Sequence, residues 1–169
     1  DVPARILALW SLEDLEHLDG GLLDLLASAQ QPALRREAAR LAGRLGEDSA
    51  RVAQRLPWVA DEADPRVRFA AIEALAGCPA LGPEAATFLL RMARDPDNPA
   101  PGPALDTDVT FERSLIRVAL EGAGQVLLRL LDGDTELNGA ARDLAALCLE
   151  GPEGARLPGA EHSGRYPGR

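Results

Sequence analysis

The sequence predicts an all-α protein, an α-solenoid of stacked antiparallel helix pairs with about nine helices. Three observations carry that expectation. Ala, Leu and Arg dominate a chain that is 46% hydrophobic but only 4% aromatic, so good helix formers abound while strand formers are scarce. One pattern, Asp64-Pro65-Arg66-Val67-Arg68-Phe69-Ala70-Ala71, recurs in weakened form along the chain. Its copies start at 1, 31, 64, 106 and 134, and the spacings of 30, 33, 42 and 28 suit one pair of helices per repeat.

Taken in order, the first copy keeps Asp1, Arg5 and Ala8, with Ala4 at the apolar place, and a second apolar stripe follows at Gly21 to Ala29. The second copy, from Gln31, keeps Pro32, Leu34, Arg35 and Ala38. Its second helix spans Asp48 to Ala60, where Pro57 removes a hydrogen bond and clashes with the preceding turn, so a kink or division is expected there. In the third copy Asp64 can cap the orphan N–H groups of a first turn, and Pro65 suits the first helical position. Val67, Ala70, Ala71, Ala74 and Leu75 then form one stripe, whose small alanines admit a close neighbour. Pro83 to Arg94 is the second helix of that pair. The fourth copy keeps Asp106, Val109 and Phe111, with Thr107 in the proline's place, and pairs with Gly124 to Leu131. The fifth, with Asp134, Thr135, Leu137, Ala140 and Ala141, opens a final first helix from Asp134 to Leu149. Gly46, Gly77 and Gly151 sit where left-handed helix caps are expected.

Residues 1–150 are thus expected to form the solenoid, stacked into a right-handed superhelix with a concave face. The stretch 95–106 holds four prolines in twelve residues and reads as an extended loop, which accounts for the spacing of 42. The Gly-, Pro- and charge-rich stretch 151–169 reads as a mobile or disordered tail. The chain begins at Asp1 without a methionine, which suggests a processed protein or a piece of a longer one.

The Asp-Pro-x-Val-Arg start followed by "AAIEALAG" resembles a HEAT repeat, and the resemblance recurs along residues 1–149. It implies an α-solenoid in which the aspartate and the arginine tie neighbouring repeats together. Thr110 and Asn138 replace the arginine of Arg68 in the last two copies, so those junctions are expected to be held differently. A narrower resemblance links "ALWSLEDLEHLDGGLLDLLASAQQPALRREAARLAG", "DEADPRVRFAAIEALAG" and "DTDVTFERSLIRVALEG" to the HEAT segment of large planctomycete-type proteins. Those carry a sugar-dehydrogenase-like propeller before it and a c-type cytochrome domain after it. This resemblance implies a spacer or docking segment in an exported or periplasmic multidomain redox protein. The Cys-x-x-Cys-His haem motif is absent, since Cys78 is followed by Pro-Ala and Cys148 by Leu-Glu, so no cofactor is expected in this chain.

Residue chemistry narrows the function further. The formal net charge is −9, which opposes sequence-independent binding to nucleic acid or to an anionic membrane. No stretch approaches the ~20 apolar residues of a membrane span. All the basic residues are arginine, a trait that fits a GC-rich genome. The two histidines, His17 and His162, are read as solvated or capping, and no glycine-rich phosphate loop, zinc helix or Gly-x-Ser-x-Gly elbow is present. "DEAD" at Asp61 to Asp64 is read as capping and solvation at a turn, and Asp95, Asp97, Asn98, Asp106 and Asp108 lack the spacing of a calcium loop. Cys78, Cys148, Trp10 and Trp58 are read as core residues. The candidate interaction residues are arginines of the second helices: Arg51, Arg55, Arg91, Arg94 and Arg129. Spaced three or four apart on helices of one face, they would form a ladder on the concave surface for a protein or acidic peptide. The expected function is a non-enzymatic scaffold for protein–protein interaction, with a HEAT-type lyase or glycosylase as the enzymatic alternative.

Overall fold

The structure, a computed structural model, describes residues 1–45, 48–93, 106–133 and 137–150. Among them the chain is all-α, with nine α-helices and no strand. The first helices of the repeats are α1 (Val2–Asp14), α3 (Pro32–Leu45), α5 (Pro65–Ala76) and α7 (Asp106–Leu120). The second helices are α2 (Gly20–Ala27), α4 (Ser49–Gln54), α6 (Pro83–Met92) and α8 (Gly124–Asp132), and α9 (Gly139–Leu149) ends the series.

Local sequence sets most helix starts. Asp19, Asp48 and Asp64 accept hydrogen bonds from the backbone N–H groups of Leu22, Arg51 and Arg66, at 2.8, 2.8 and 2.9 Å. Asp1 stands before α1, but its side chain makes no capping hydrogen bond. Pro57 divides the second helix of its pair as expected: α4 stops at Gln54, and a single 3-10 turn follows at Pro57–Val59.

Three expectations need correction. The last helix starts at Gly139 rather than Asp134, because Asn138 accepts from the N–H of Ala141 at 2.8 Å and supplies the cap itself. Gly77 is not left-handed: at φ −73° it closes a right-handed turn in which its N–H reaches the carbonyl of Glu73. Left-handed backbone occurs instead at Glu16 (φ 57°), which ends α1, and at Gly122 (φ 88°), between α7 and α8. Trp10 is 45% exposed rather than in the core: its Nε1 donates to Glu37 on α3, but much of the ring stays open to solvent. Trp58 is half-buried against the core, and Cys78 and Cys148 are free, half-buried thiols. Gly46, Gly151, His162 and the stretches 95–105 and 151–169 lie outside the described residues.

The helices stack in two layers. In one, α3 packs on α5 over the largest helix contact among the described residues, α5 packs on α7, and α7 touches α9. In the other, α4, α6 and α8 lie side by side, while α2 rests on α3. α9 also reaches α6 and α8. One core runs through the stack and buries Leu41, Val52, Leu56, Ala71 and Leu75 completely. The α3–α5 approach depends on small residues: a Cβ on Gly43 would lie 2.9 Å from the Cβ of Ala74. The stripe expected on α5 is buried at Val67, Ala70, Ala71 and Leu75, and half-buried at Ala74.

Candidate functional site: the arginines of the repeat

The repeated arginine is the most developed polar feature of the molecule. Arg68 on α5 is 1% exposed and uses all five of its N–H donors. Its Nε and Nη2 donate to Glu112 Oε2 and Oε1 at 2.6 and 2.8 Å, a bidentate pair with a carboxylate on α7 that is itself 2% exposed. Its Nη1 donates to the carbonyls of Val59 and Ala60 at 3.1 and 2.9 Å, and Nη2 also donates to the carbonyl of Met92 at 2.6 Å. One guanidinium thereby joins the end of the second pair, the end of α6 and the fourth pair.

Arg35 occupies the same repeat position on α3 and repeats the geometry. Its Nε and Nη2 donate to Glu62 at 2.6 and 3.0 Å, and its Nη1 donates to the carbonyls of Ala29 and Gln30 at 2.9 and 2.8 Å. The hydrogen bond from Arg35 holds the Glu62 carboxyl below its ordinary pKa. Both arginines therefore tie neighbouring repeats, but through glutamates rather than through the capping aspartates. "DEAD" is accordingly not all capping and solvation: Asp64 caps α5, whereas Glu62 is buried and bridges two repeats. The sequence carried no signal for Glu112, which lies 44 residues from Arg68.

A second network joins α1 to α3. Glu37, 2% exposed, accepts from Trp10 Nε1, Arg36 and Arg40. Arg40 also donates to both oxygens of Glu13, at 3.2 and 2.6 Å. Burial pushes the Glu37 carboxyl up, but the hydrogen bonds from Arg40, Trp10 and Arg36 outweigh it and leave the group below its ordinary value. The hydrogen bond from Arg40 lowers Glu13 likewise.

The interaction candidates lie elsewhere, on the layer of second helices. Arg51 is exposed on α4, Arg91 is exposed on α6 and Arg129 is exposed on α8. Arg55, at the end of α4, is half-buried, and its Nη1 is buried without a hydrogen-bond partner. Stacking brings the three helices together. A groove of ≈ 390 Å³ runs between α4 and α6; Arg91 lines it with Gln54, Glu84 and Phe88, whereas Arg51 and Arg55 do not. Arg94 lies outside the described residues. Burial raises the thiols of Cys78 and Cys148 above the ordinary range, away from the thiolate form a nucleophile needs. Among the described residues, no three His, Cys, Asp or Glu side chains gather as a metal site, and no helix is long and apolar enough to cross a membrane.

No curated protein and no solved structure matches the chain. Residues 20–100 match the family described as HEAT repeats, a span that takes in Arg35, Arg68 and both of their carbonyl cradles. With the helix pairs stacked and the repeat arginine bonded alike in two successive copies, residues 20–100 are a HEAT-repeat domain.

Proposed function

We propose that this chain is a HEAT-repeat scaffold for protein–protein interaction that docks an acidic partner on its layer of second helices. The observation that carries the reading is the side-by-side stacking of α4, α6 and α8, each bearing an exposed arginine, on a protein of net charge −9. Arg51, Arg91 and Arg129 offset the exposed Asp48, Glu84 and Asp132 of the same helices, so a carboxylate-bearing partner meets less repulsion on this layer than on the rest of an acidic molecule. The half-buried Arg55 supports the same reading, because a buried guanidinium N–H without an acceptor gains a hydrogen bond when a carboxylate reaches it. Arg94 belongs to the proposed strip by sequence.

The test uses a fluorescent peptide rich in Asp and Glu, titrated with the whole chain and with the triple variant Arg51→Glu, Arg91→Glu, Arg129→Glu. All three residues are exposed, so the fold should tolerate the exchange. Binding should weaken at least about tenfold in the variant. Equal binding by both proteins would remove this layer as the docking face.

A finer reading, a spacer or docking segment in an exported redox protein, rests on the sequence resemblance alone. A full reading frame with a propeller before this segment and a Cys-x-x-Cys-His motif after it would support that reading. A frame with neither would end it.

A further inference from the structure

The α1–α2 end of the described stack carries a second surface of different chemistry. α1 and α2 belong to one repeat, yet they stand apart and enclose a groove of ≈ 670 Å³. Leu9 and Leu12 of α1 form one wall, Leu22, Leu25 and Leu26 of α2 form the other, and Leu34 of α3 lies in the lining. Leu25 is 68% exposed there, in a position where an ordinary solvated helix face carries a polar residue. The lining of α1 follows helical spacing from Arg5 through Ala8 and Leu9 to Leu12, two turns or roughly 10 Å, which matches the footprint of a docked helix.

Charge indicates the occupant. Residues 1–31 hold Asp1, Glu13, Asp14, Glu16, Asp19 and Asp24 against the single Arg5, so this segment alone has a net charge of −5 out of the chain's −9. Glu13 is taken up by Arg40 and Arg44, while Asp1, Asp14, Glu16, Asp19 and Asp24 are exposed. A second copy of the chain would bring the same carboxylates against these and meet repulsion. We infer that the α1–α2 groove seats one amphipathic helix of a partner protein, with its apolar face on the leucines and with Lys or Arg on its flanks. Arg5, the one charge in the lining, is placed to meet the C-terminal carbonyls of that helix and fix its direction.

A synthetic amphipathic Leu/Lys helix of about 14 residues is the probe. It is compared with a peptide of the same composition scrambled to lose its apolar face, by fluorescence anisotropy against the whole chain. The amphipathic peptide should bind and the scrambled one should bind at least about tenfold more weakly. Leu25→Glu and, on the opposite wall, Ala8→Glu change exposed residues, so two independent variants can be read. Each should weaken binding at least about tenfold even though each adds negative charge, whereas attraction by surface charge alone would tighten. The triple arginine variant of the second helices should bind this peptide no more weakly than the wild type does. No binding, equal binding by the scrambled peptide, or unchanged or tighter binding by the two groove variants would overturn the inference. So would a concentration-dependent dimer abolished by Leu25→Glu, which would assign the groove to a second copy.

Discussion

The α3–α5 junction and the α1–α2 end are built on the same repeat, yet they differ in what each helix finds on its second side. α5 is flanked by α3 and α7 and buries a broad face that includes Val67, Arg68, Ala71 and Ile72, leaving Arg66, Glu73 and Ala76 exposed. α1 is at least as apolar, but among the described residues it packs chiefly on α3, buries Leu9 and leaves Leu7 and Trp10 exposed. The repeat arginine follows the same division. At Arg68 it is enclosed and fully bonded, at Arg35 it is partly enclosed, and at Arg5 it is exposed. One sequence pattern therefore makes a clamp or a surface charge according to whether a neighbouring repeat covers it.

The sharpest way to break the comparison is to make one change at both places. Arg68→Met leaves Glu112 buried without its cation and should cost about 3–5 kcal/mol. Arg5→Met should stay within about 0.5 kcal/mol. Thermal melts would read the first as a fall of roughly 6–20 °C. Similar small shifts in both variants would show that the clamp does not hold the stack.

The next contrast concerns glycine. Gly43→Ala improves helix propensity but drives a Cβ to within 2.9 Å of Ala74 Cβ and 3.0 Å of its Cα, so backbone must move. We expect a loss of about 1–3 kcal/mol. Gly20→Ala, with nothing within 4 Å of the new Cβ, should be neutral or stabilising by up to about 1 kcal/mol. Urea unfolding of the two variants would measure both.

Acid should act on the arginine networks next. The folded pKa values of Glu13, Glu37 and Glu62 are lowered by their arginine partners, so the native state binds fewer protons than the unfolded chain. Their contribution is present above the unfolded carboxylate value of about 4.3 and is lost as pH falls through the folded values. The urea midpoint should therefore drop between neutral pH and pH ~3. Arg40→Met, which removes a partner of Glu13 and Glu37 but not of Glu62, should lower the midpoint at neutral pH and flatten that drop. An unchanged pH slope would show that the α1–α3 network is not linked to folding.

The smallest effect is expected at the end of α1. Glu16 holds φ 57°, which costs a side-chain-bearing residue more than glycine, so Glu16→Gly should stabilise by about 0.5–1 kcal/mol despite glycine's greater freedom when unfolded. Differential scanning calorimetry would detect it, and a destabilised variant would contradict the strain.

Helix positions were legible because they depend on local chemistry. Asp48 and Asp64 cap, Pro57 interrupts, and Val67 to Leu75 keep one face, all within a turn or two of the residues concerned. The misplacements share the same origin. Asp134 and Asn138 both suit a cap, and only the structure distinguishes them at the start of α9. Trp10 has the composition of a core residue, but its exposure depends on whether a helix lies beyond α1. The polar framework was the least legible part, since Arg35 and Arg68 reach carboxylates 27 and 44 residues away. Any glutamate of suitable exposure would have read the same before folding brought them together.

The reach of Arg68 also bears on how this stack bends. A solenoid held only between adjacent repeats flexes like a spring of equal coils, each junction yielding independently. Here a single buried side chain fastens the turn at Val59 and Ala60, the end of α6 at Met92 and α7 at Glu112. The three middle coils must then deform as one stiff segment. Compliance is displaced toward the first described coil, where α1 packs chiefly on α3 and a pulling force on the described residues would find its first yield point.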